Sequence, residues 1–158
     1  MDIHVYLDQQ LLKVWKGNTL IKAYSVSTAL NGAGEIFGSE QTPRGKHYIR
    51  AKIGEGEPIG MAFKGRRATG EICCAYTKES APERDWITSR IFWLCGLELG
   101  KNRLGKVDSF RRYIYIHGTP DWEPMGVPKS HGCIRMRNHD VIELFNLVPV
   151  YTPVTIFE

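Results

Sequence analysis

Two short blocks in this chain carry side chains suited to covalent catalysis. One is Ile116-His117-Gly118-Thr119. The other is Ser130-His131-Gly132-Cys133-Ile134-Arg135. A cysteine is a weak nucleophile as a thiol and a strong one as a thiolate, so it needs a base or a positive charge beside it. His131 and His117 both qualify by type. A residue two positions away shares the direction of Cys133 only in an extended segment, whereas a side chain from another strand can meet the thiol squarely. His117 is therefore the preferred base. One nitrogen of its ring must be held so that the other faces the sulfur. No acid follows His117 directly, and a carbonyl of the loop beginning at Gly118 can take that part. Gly132 lets backbone approach a substrate closely, and the N–H groups around Gly132 and Cys133 can form an oxyanion hole. Arg135 and Arg137 have the fork geometry that pairs with a carboxylate, although ordinary surface charge is the plainer reading of Arg137.

The rival chemistry is zinc. His117, His131, Cys133 and His139 supply enough ligand types, but their spacing matches no familiar zinc module, and His139 falls in a first helical turn facing solvent. Catalysis ranks above metal binding, and no metal or cofactor is expected. A cysteine and a distant histidine also co-occur by chance in many proteins. Gly32-x-Gly34 and Gly54-x-Gly56 hint at a dinucleotide fingerprint, yet in both the third glycine comes one residue late and no helical pattern follows. The net charge of +4 is mild. Lys64, Arg66 and Arg67 read as the solvated tip of a glycine-rich loop, not a nucleic-acid patch.

The elements that must position these residues are mostly strands. Ile3, Val5 and Leu7 alternate with polar neighbours, Asp8-Gln9-Gln10 breaks the run, and Leu12 to Trp15 resumes it. Lys16-Gly17-Asn18 makes a second turn before a strand over Ile21 to Val26. Residues 28–46 form a long loop ending in Thr42-Pro43-Arg44-Gly45, followed by a strand over Tyr48 to Ile53. The glycine-rich stretch 54–71 reads as a functional loop. Further strands fall at Ile72 to Tyr76, Ser89 to Leu94 and Tyr113 to Ile116. The last places Tyr113, Tyr115 and His117 on one face, with His117 at the strand's end. One helix is expected, with Asn138 as N-cap, Asp140 in the first turn, and Val141, Leu144, Phe145 and Val148 at helical spacing up to Pro149. Val150 to Phe157 closes the chain as a strand. The four cysteines show no Cys-x-x-Cys spacing and are expected as free thiols, with Cys73, Cys74 and Cys95 in the core. At 158 residues the chain suits one domain over 1–158 that buries roughly 70% of its unfolded surface.

His117-Gly118-Thr119 followed by Ser130-His131-Gly132-Cys133-Ile134-Arg135-Met136 resembles the signature of the L,D-transpeptidase (YkuD) catalytic domain. The N-terminal VYLDQQLLKVWKGN, the TPRG at 42–45 and the closing VYTPVTIF resemble that domain too, so the likeness covers nearly the whole chain. It implies a mainly β fold, a β-sandwich with one helix packed near the active site. It implies that Cys133 is the nucleophile and His117 the general base. Ser130, His131, Gly132 and Gly118 would shape the site and its oxyanion hole, and Arg135 and Tyr115 would support substrate. The substrate implied is a murein tetrapeptide, cut between diaminopimelate and the terminal D-alanine through a thioester at the cysteine.

Two departures from the family's usual plan bear on the reading. The N-terminus MDIHVYLDQQ is not a signal peptide, no apolar run reaches membrane-spanning length, and no accessory wall-binding module is present. The expectation is a cytoplasmic protein without membrane or nucleic-acid partners, acting as an L,D-carboxypeptidase in peptidoglycan recycling. The alternatives are a transpeptidase making 3-3 cross-links or exchanging D-amino acids, and a non-catalytic murein-peptide binding module. The segments 54–71 and 77–88 are the candidate lids.

Overall fold

The computed structural model of the chain describes residues 1–73 and 84–158. Among them the elements run β1 (Asp2–Tyr6), β2 (Leu11–Lys16), β3 (Thr19–Ser27), β4 (Gly45–Ile53), β5 (Met61–Lys64), β6 (Arg67–Ile72), β7 (Thr88–Gly96), β8 (Tyr115–Thr119), β9 (Ile134–Arg137), α1 (Asn138–Leu147) and β10 (Pro153–Phe157). The fold is mainly β with one α-helix among the described residues, as the sequence pattern implies.

The strands form one sheet in the order β4-β10-β1-β2-β3-β9-β8-β7-β5-β6, and an added β4–β7 pairing closes it on itself. The closure explains why period-two alternation is so legible in the first half. Ile3 and Val5 of β1 and Leu12 and Val14 of β2 point inward and are fully buried, while their neighbours are not. Ile49, Phe92, Leu94, Ile116, Met136 and Leu144 join them in one core. The helix contributes through Val141, Leu144 and Phe145 and packs on β7 and on β8 and β9, the two strands that the sequence blocks run into. Among the described residues no helix is long and apolar enough to cross a membrane.

Several local expectations change. The stretch 54–71 is not a structureless loop, because Met61–Lys64 and Arg67–Ile72 pair as a hairpin. Tyr113 precedes β8 in a left-handed conformation with φ of 57°, so it does not alternate with Tyr115, and β8 runs on through Thr119, leaving His117 in mid-strand. The closing strand starts at Pro153, after Tyr151 turns the chain at φ of 69°. Cys73 and Cys95 are half-buried, not core. Cys74, the rest of the expected 72–76 strand and most of the 77–88 lid candidate lie outside the described residues.

The helix start also differs. Arg137 holds the N-cap position without a side-chain cap bond. Asn138 turns inward instead. Its Oδ1 accepts from Thr88 Oγ1 at 2.6 Å and Ser89 Oγ at 2.5 Å, and its Nδ2 donates to Asp121 Oδ1 at 3.3 Å. A buried amide must find such partners, and these stitch the helix to β7 and to the loop after β8.

Candidate active site

β8 and β9 run parallel, with Ile116 beside Ile134 and His117 beside Arg135. Cys133 immediately precedes β9, so extending the register by one step sets it opposite Tyr115. Cross-strand neighbours share a face, and alternation returns Tyr115 and His117 to the same side. Tyr115, His117, Cys133 and Arg135 therefore rise from one face of adjacent strands. Pairing of β8 with β9 is what brings together a histidine and a cysteine distant in sequence.

The His117 ring is buried, and its Nδ1 lies 2.6 Å from the Gly118 carbonyl oxygen. A carbonyl can only accept, so Nδ1 carries the proton and Nε2 keeps the lone pair that a base needs. This is the carbonyl brace expected from the loop after His117, supplied by the very next residue. Gly118 cannot be replaced there, because a Cβ would run into the Thr88 carbonyl. Burial pushes the imidazole pKa down, against the Gly118 carbonyl and Asp85, which favour the charged form. The ring thus rests neutral.

The Cys133 side chain is half-buried against Met61, Phe63, Ile91 and Tyr115. Its Sγ accepts from the Tyr115 N–H at 3.4 Å and donates to the Tyr113 carbonyl at 3.3 Å. Burial pushes the thiol up to about 11, although the Tyr115 N–H, Arg135 and Arg112 favour the thiolate. The resting pair is therefore a neutral thiol beside a neutral imidazole.

The loop around Cys133 is tied from beneath. Ser130 Oγ donates to the Cys133 carbonyl at 2.5 Å and accepts from the Gly132 N–H at 3.2 Å. The Gly132 N–H is thus engaged at rest, so the oxyanion role expected of it needs that long bond to open. Gly132 has φ of 131°, and a Cβ would sit 3.3 Å from the Gln41 carbonyl oxygen, two reasons for glycine there. Thr42, of the TPRG stretch, is fully buried; its Oγ1 donates to the Gly132 carbonyl at 2.9 Å and accepts from the Ala29 N–H at 3.0 Å.

Arg135 is buried and already has carboxylate partners, Asp85 Oδ1 at 2.8 Å from Nη2 and Glu123 Oε2 at 3.6 Å from Nη1. At rest its carboxylate pairing is met inside the protein. Asp85 also reaches His131 Nδ1 at 3.2 Å, placing the exposed His131 in this charge network and away from the sulfur's own hydrogen bonds. Burial works against the Asp85 charge, but His117, Arg135 and His131 together hold its carboxyl below the usual range. Tyr115 is buried, and its hydroxyl accepts from Arg66 Nη1 at 3.0 Å. Arg66 is no solvated tip, lying over Trp93 and Tyr113 at 4.7 and 4.9 Å from the ring centroids. Among the described residues no three His, Cys, Asp or Glu side chains converge as metal ligands, and Arg137 and His139 are exposed.

Asp85, Thr42, Asn138 and Arg112 were not singled out from sequence as site residues. Thr42 carried a signal, since TPRG belonged to the resemblance. The others sit among ordinary polar residues, and only β-pairing at a distance reveals them. Arg112 Nη2 donates to the Gln41 carbonyl at 2.7 Å and Ser39 Oγ at 3.3 Å, and Nη1 to the Gly34 carbonyl at 3.3 Å.

A family model described as the L,D-transpeptidase catalytic domain matches residues 1–156. A Bacillus licheniformis protein named as the L,D-transpeptidase YkuD is 28% identical over 155 residues, covering 98% of this chain and 64% of that protein. The chain thus spans just under two thirds of that relative's length. Among solved structures, Bd1075 of Bdellovibrio bacteriovorus superposes with a TM-score of 0.60 at 19% identity, over 99% of this chain and 47% of the other. L,D-transpeptidase 3 from Mycobacterium tuberculosis, solved with a faropenem-derived adduct, gives 0.56 at 15% identity, over 99% and 59%.

Proposed function

The chain belongs to the L,D-transpeptidase catalytic domain family, and from that premise we propose that it is a cysteine acyl-transfer enzyme acting, as one domain over 1–158, on the L,D-bond of murein tetrapeptides. The observation that carries the reading is the His117 ring. Its Nδ1 is bonded to the Gly118 carbonyl, leaving Nε2 free on the face from which Cys133 rises. Nε2 takes the Sγ proton as sulfur adds to the carbonyl carbon, and the new imidazolium gives that proton to the departing amine as the C–N bond breaks. D-Alanine leaves and a thioester remains. For hydrolysis, Nε2 then takes a proton from water, hydroxide displaces sulfur, and the thiol regains its proton.

Water is the favoured acceptor, which makes the protein an L,D-carboxypeptidase suited to peptidoglycan recycling. An amine acceptor arrives mostly as ammonium. Among the described residues Asp85, the acid whose charge acts on the thiol, is already paired with Arg135, while Arg112 adds positive charge there. The second reading, transpeptidation with an amine acceptor, is favoured by the names of the relatives.

The test is mass analysis of a disaccharide tetrapeptide after incubation, with and without D-methionine, using Cys133→Ala as control. Accumulating tripeptide with D-methionine ignored supports the carboxypeptidase. Terminal exchange or cross-linked dimers support the transpeptidase. No turnover in any arm removes both readings and favours a binding module. Faropenem serves as a second probe, because acyl transfer predicts a covalent mass increase that Cys133→Ala abolishes.

A further inference from the structure

Two arginines flank the thiol in opposite electrostatic conditions. Arg135 is neutralised by Asp85 and Glu123. Among the described residues Arg112 is held by neutral acceptors, the Gly34 and Gln41 carbonyls and Ser39 Oγ, and no carboxylate lies within ion-pair distance of it, Glu35 acting on its charge only from farther away. A guanidinium carries five N–H groups, and these three bonds leave others unspent. Fixing an arginine in a half-buried position without a counter-charge is costly unless a ligand supplies the anion.

Its position says which anion. Arg112 adjoins Tyr113, whose carbonyl receives the Cys133 thiol proton, and Gln41, whose carbonyl it grips, packs 3.3 Å from where a Gly132 Cβ would stand. Arg112, Ile114, Phe37 and His131 line a cavity of 220 Å³, so the cavity opens beside the loop that bears the nucleophile. We infer that Arg112 receives the free carboxylate of the substrate's C-terminal residue, the residue that leaves, in this cavity. The inference rests on the acyl-transfer reading of Cys133. An enzyme that removes a single terminal residue must tell a chain end from a continuing chain, and a fixed arginine beside the nucleophile does so by a charge-assisted hydrogen bond from an N–H it has left over. Ile114 and Phe37 supply apolar walls suited to a small side chain. Glu40 also lines the cavity, exposed to solvent and without an ion pair to Arg112.

The experiment compares a tetrapeptide bearing a free C-terminal carboxylate with its C-terminal amide. The wild-type protein is expected to prefer the acid by about tenfold or more in kcat/KM, chiefly through KM, as befits a charge-assisted hydrogen bond. Arg112→Gln should erase the preference and Arg112→Lys restore part of it. Arg112 also braces the 34–41 segment, so a plain loss of activity is not the readout. A loosened loop lowers both substrates together and leaves their ratio intact. Equal cleavage of acid and amide by the wild type, or a ratio that survives in Arg112→Gln, overturns the assignment. If the wild type cleaves neither, the acyl-transfer reading fails, and calorimetric binding to Cys133→Ala decides the role of Arg112 on its own. Acid bound tenfold tighter than amide, with the difference lost on adding Arg112→Gln, sustains it; equal binding or none overturns it.

Discussion

His47 and His117 stand on different walls of the molecule and are built to nearly the same plan. Each is a buried imidazole whose Nδ1 donates to a nearby backbone carbonyl, Gly45 at 3.0 Å for His47 and Gly118 at 2.6 Å for His117. Burial pushes both pKa values down, that of His47 to about 4. The second nitrogen makes the difference. His47 Nε2 lies 2.8 Å from Ser109 Oγ and is spent as an acceptor. Among the described residues His117 Nε2 has no such hydrogen-bond partner, and the β8–β9 register sets Cys133 on the same face. Burial and a braced tautomer make a histidine rigid and neutral. Only an unspent nitrogen facing a reactive group makes it a base.

The comparison is broken most sharply by exchanging ring for amide. His117→Gln should lower turnover by about 10²–10⁴-fold, the usual weight of a positioned general base, with little change in denaturant midpoint. Cys133→Ala should abolish turnover while the protein stays folded, since among the described residues the thiol makes only two long bonds to backbone. His47→Ala should do the reverse. It strands Ser109 and the Gly45 carbonyl and opens a buried gap, costing about 2–4 kcal/mol, yet the folded fraction should keep its kcat. Steady-state kinetics beside urea melts separate the two. A His47 variant that is stable but slow would sink the division of labour.

The sequence alone does not distinguish these histidines. His47 follows Lys46 in an unremarkable strand start, and its burial depends on β4 pairing with both β10 and β7, contacts distant in sequence. His117 was legible because Gly118, Ser130, Gly132 and Cys133 accompany it in a fixed pattern. The strands of the first half were legible for a different reason, since each has one face on the core and one toward solvent, so alternation shows. β7 was harder because buried residues fill both its faces. The hairpin of β5 and β6 was missed because its glycines and charges mimic a loop. The Asn138 cap misled because local propensity yielded to a tertiary demand: an amide that suits an N-cap was needed more by Thr88 and Ser89.

Acid sharpens the comparison at a smaller scale. A buried histidine with a depressed pKa contributes stability that is whole above the unfolded value near 6.5 and lost as pH falls through the folded value. The unfolded chain takes the proton first, so stability drops with falling pH. For His47, with a folded value of about 4, the loss between pH 7 and pH 4 is about 3 kcal/mol, and His117 adds in the same direction. Urea midpoints across that range should fall for the wild type and fall less for His47→Gln. Turnover of the folded enzyme should persist below pH 6.5, because a depressed His117 stays neutral and basic there. A pH–rate profile with its acid limb at or above pH 6.5 would contradict the neutral resting pair.

The same pair predicts a weak response at the alkaline end. With the Cys133 thiol pushed up to about 11, carbamidomethylation by iodoacetamide should be slower at pH 7 than for an unburied cysteine and should climb steadily through pH 10. Thiolate fraction, not intrinsic nucleophilicity, limits the rate. His117→Gln should leave this profile almost unchanged while crippling turnover, because a small electrophile needs only the thiolate whereas a peptide carbonyl needs a base moving in step with the sulfur. Thr42→Val supplies the finest cut. It removes the hydroxyl that joins the Gly132 carbonyl to the Ala29 N–H and should cost about 1–2 kcal/mol in stability. Alkylation should stay near the wild-type rate and turnover should fall several-fold. Sulfur chemistry tolerates a loosened loop, but proton transfer to His117 depends on where that loop holds the thiol. Equal losses in alkylation and turnover would mean that Thr42 acts on thiol exposure and not on its alignment with the base.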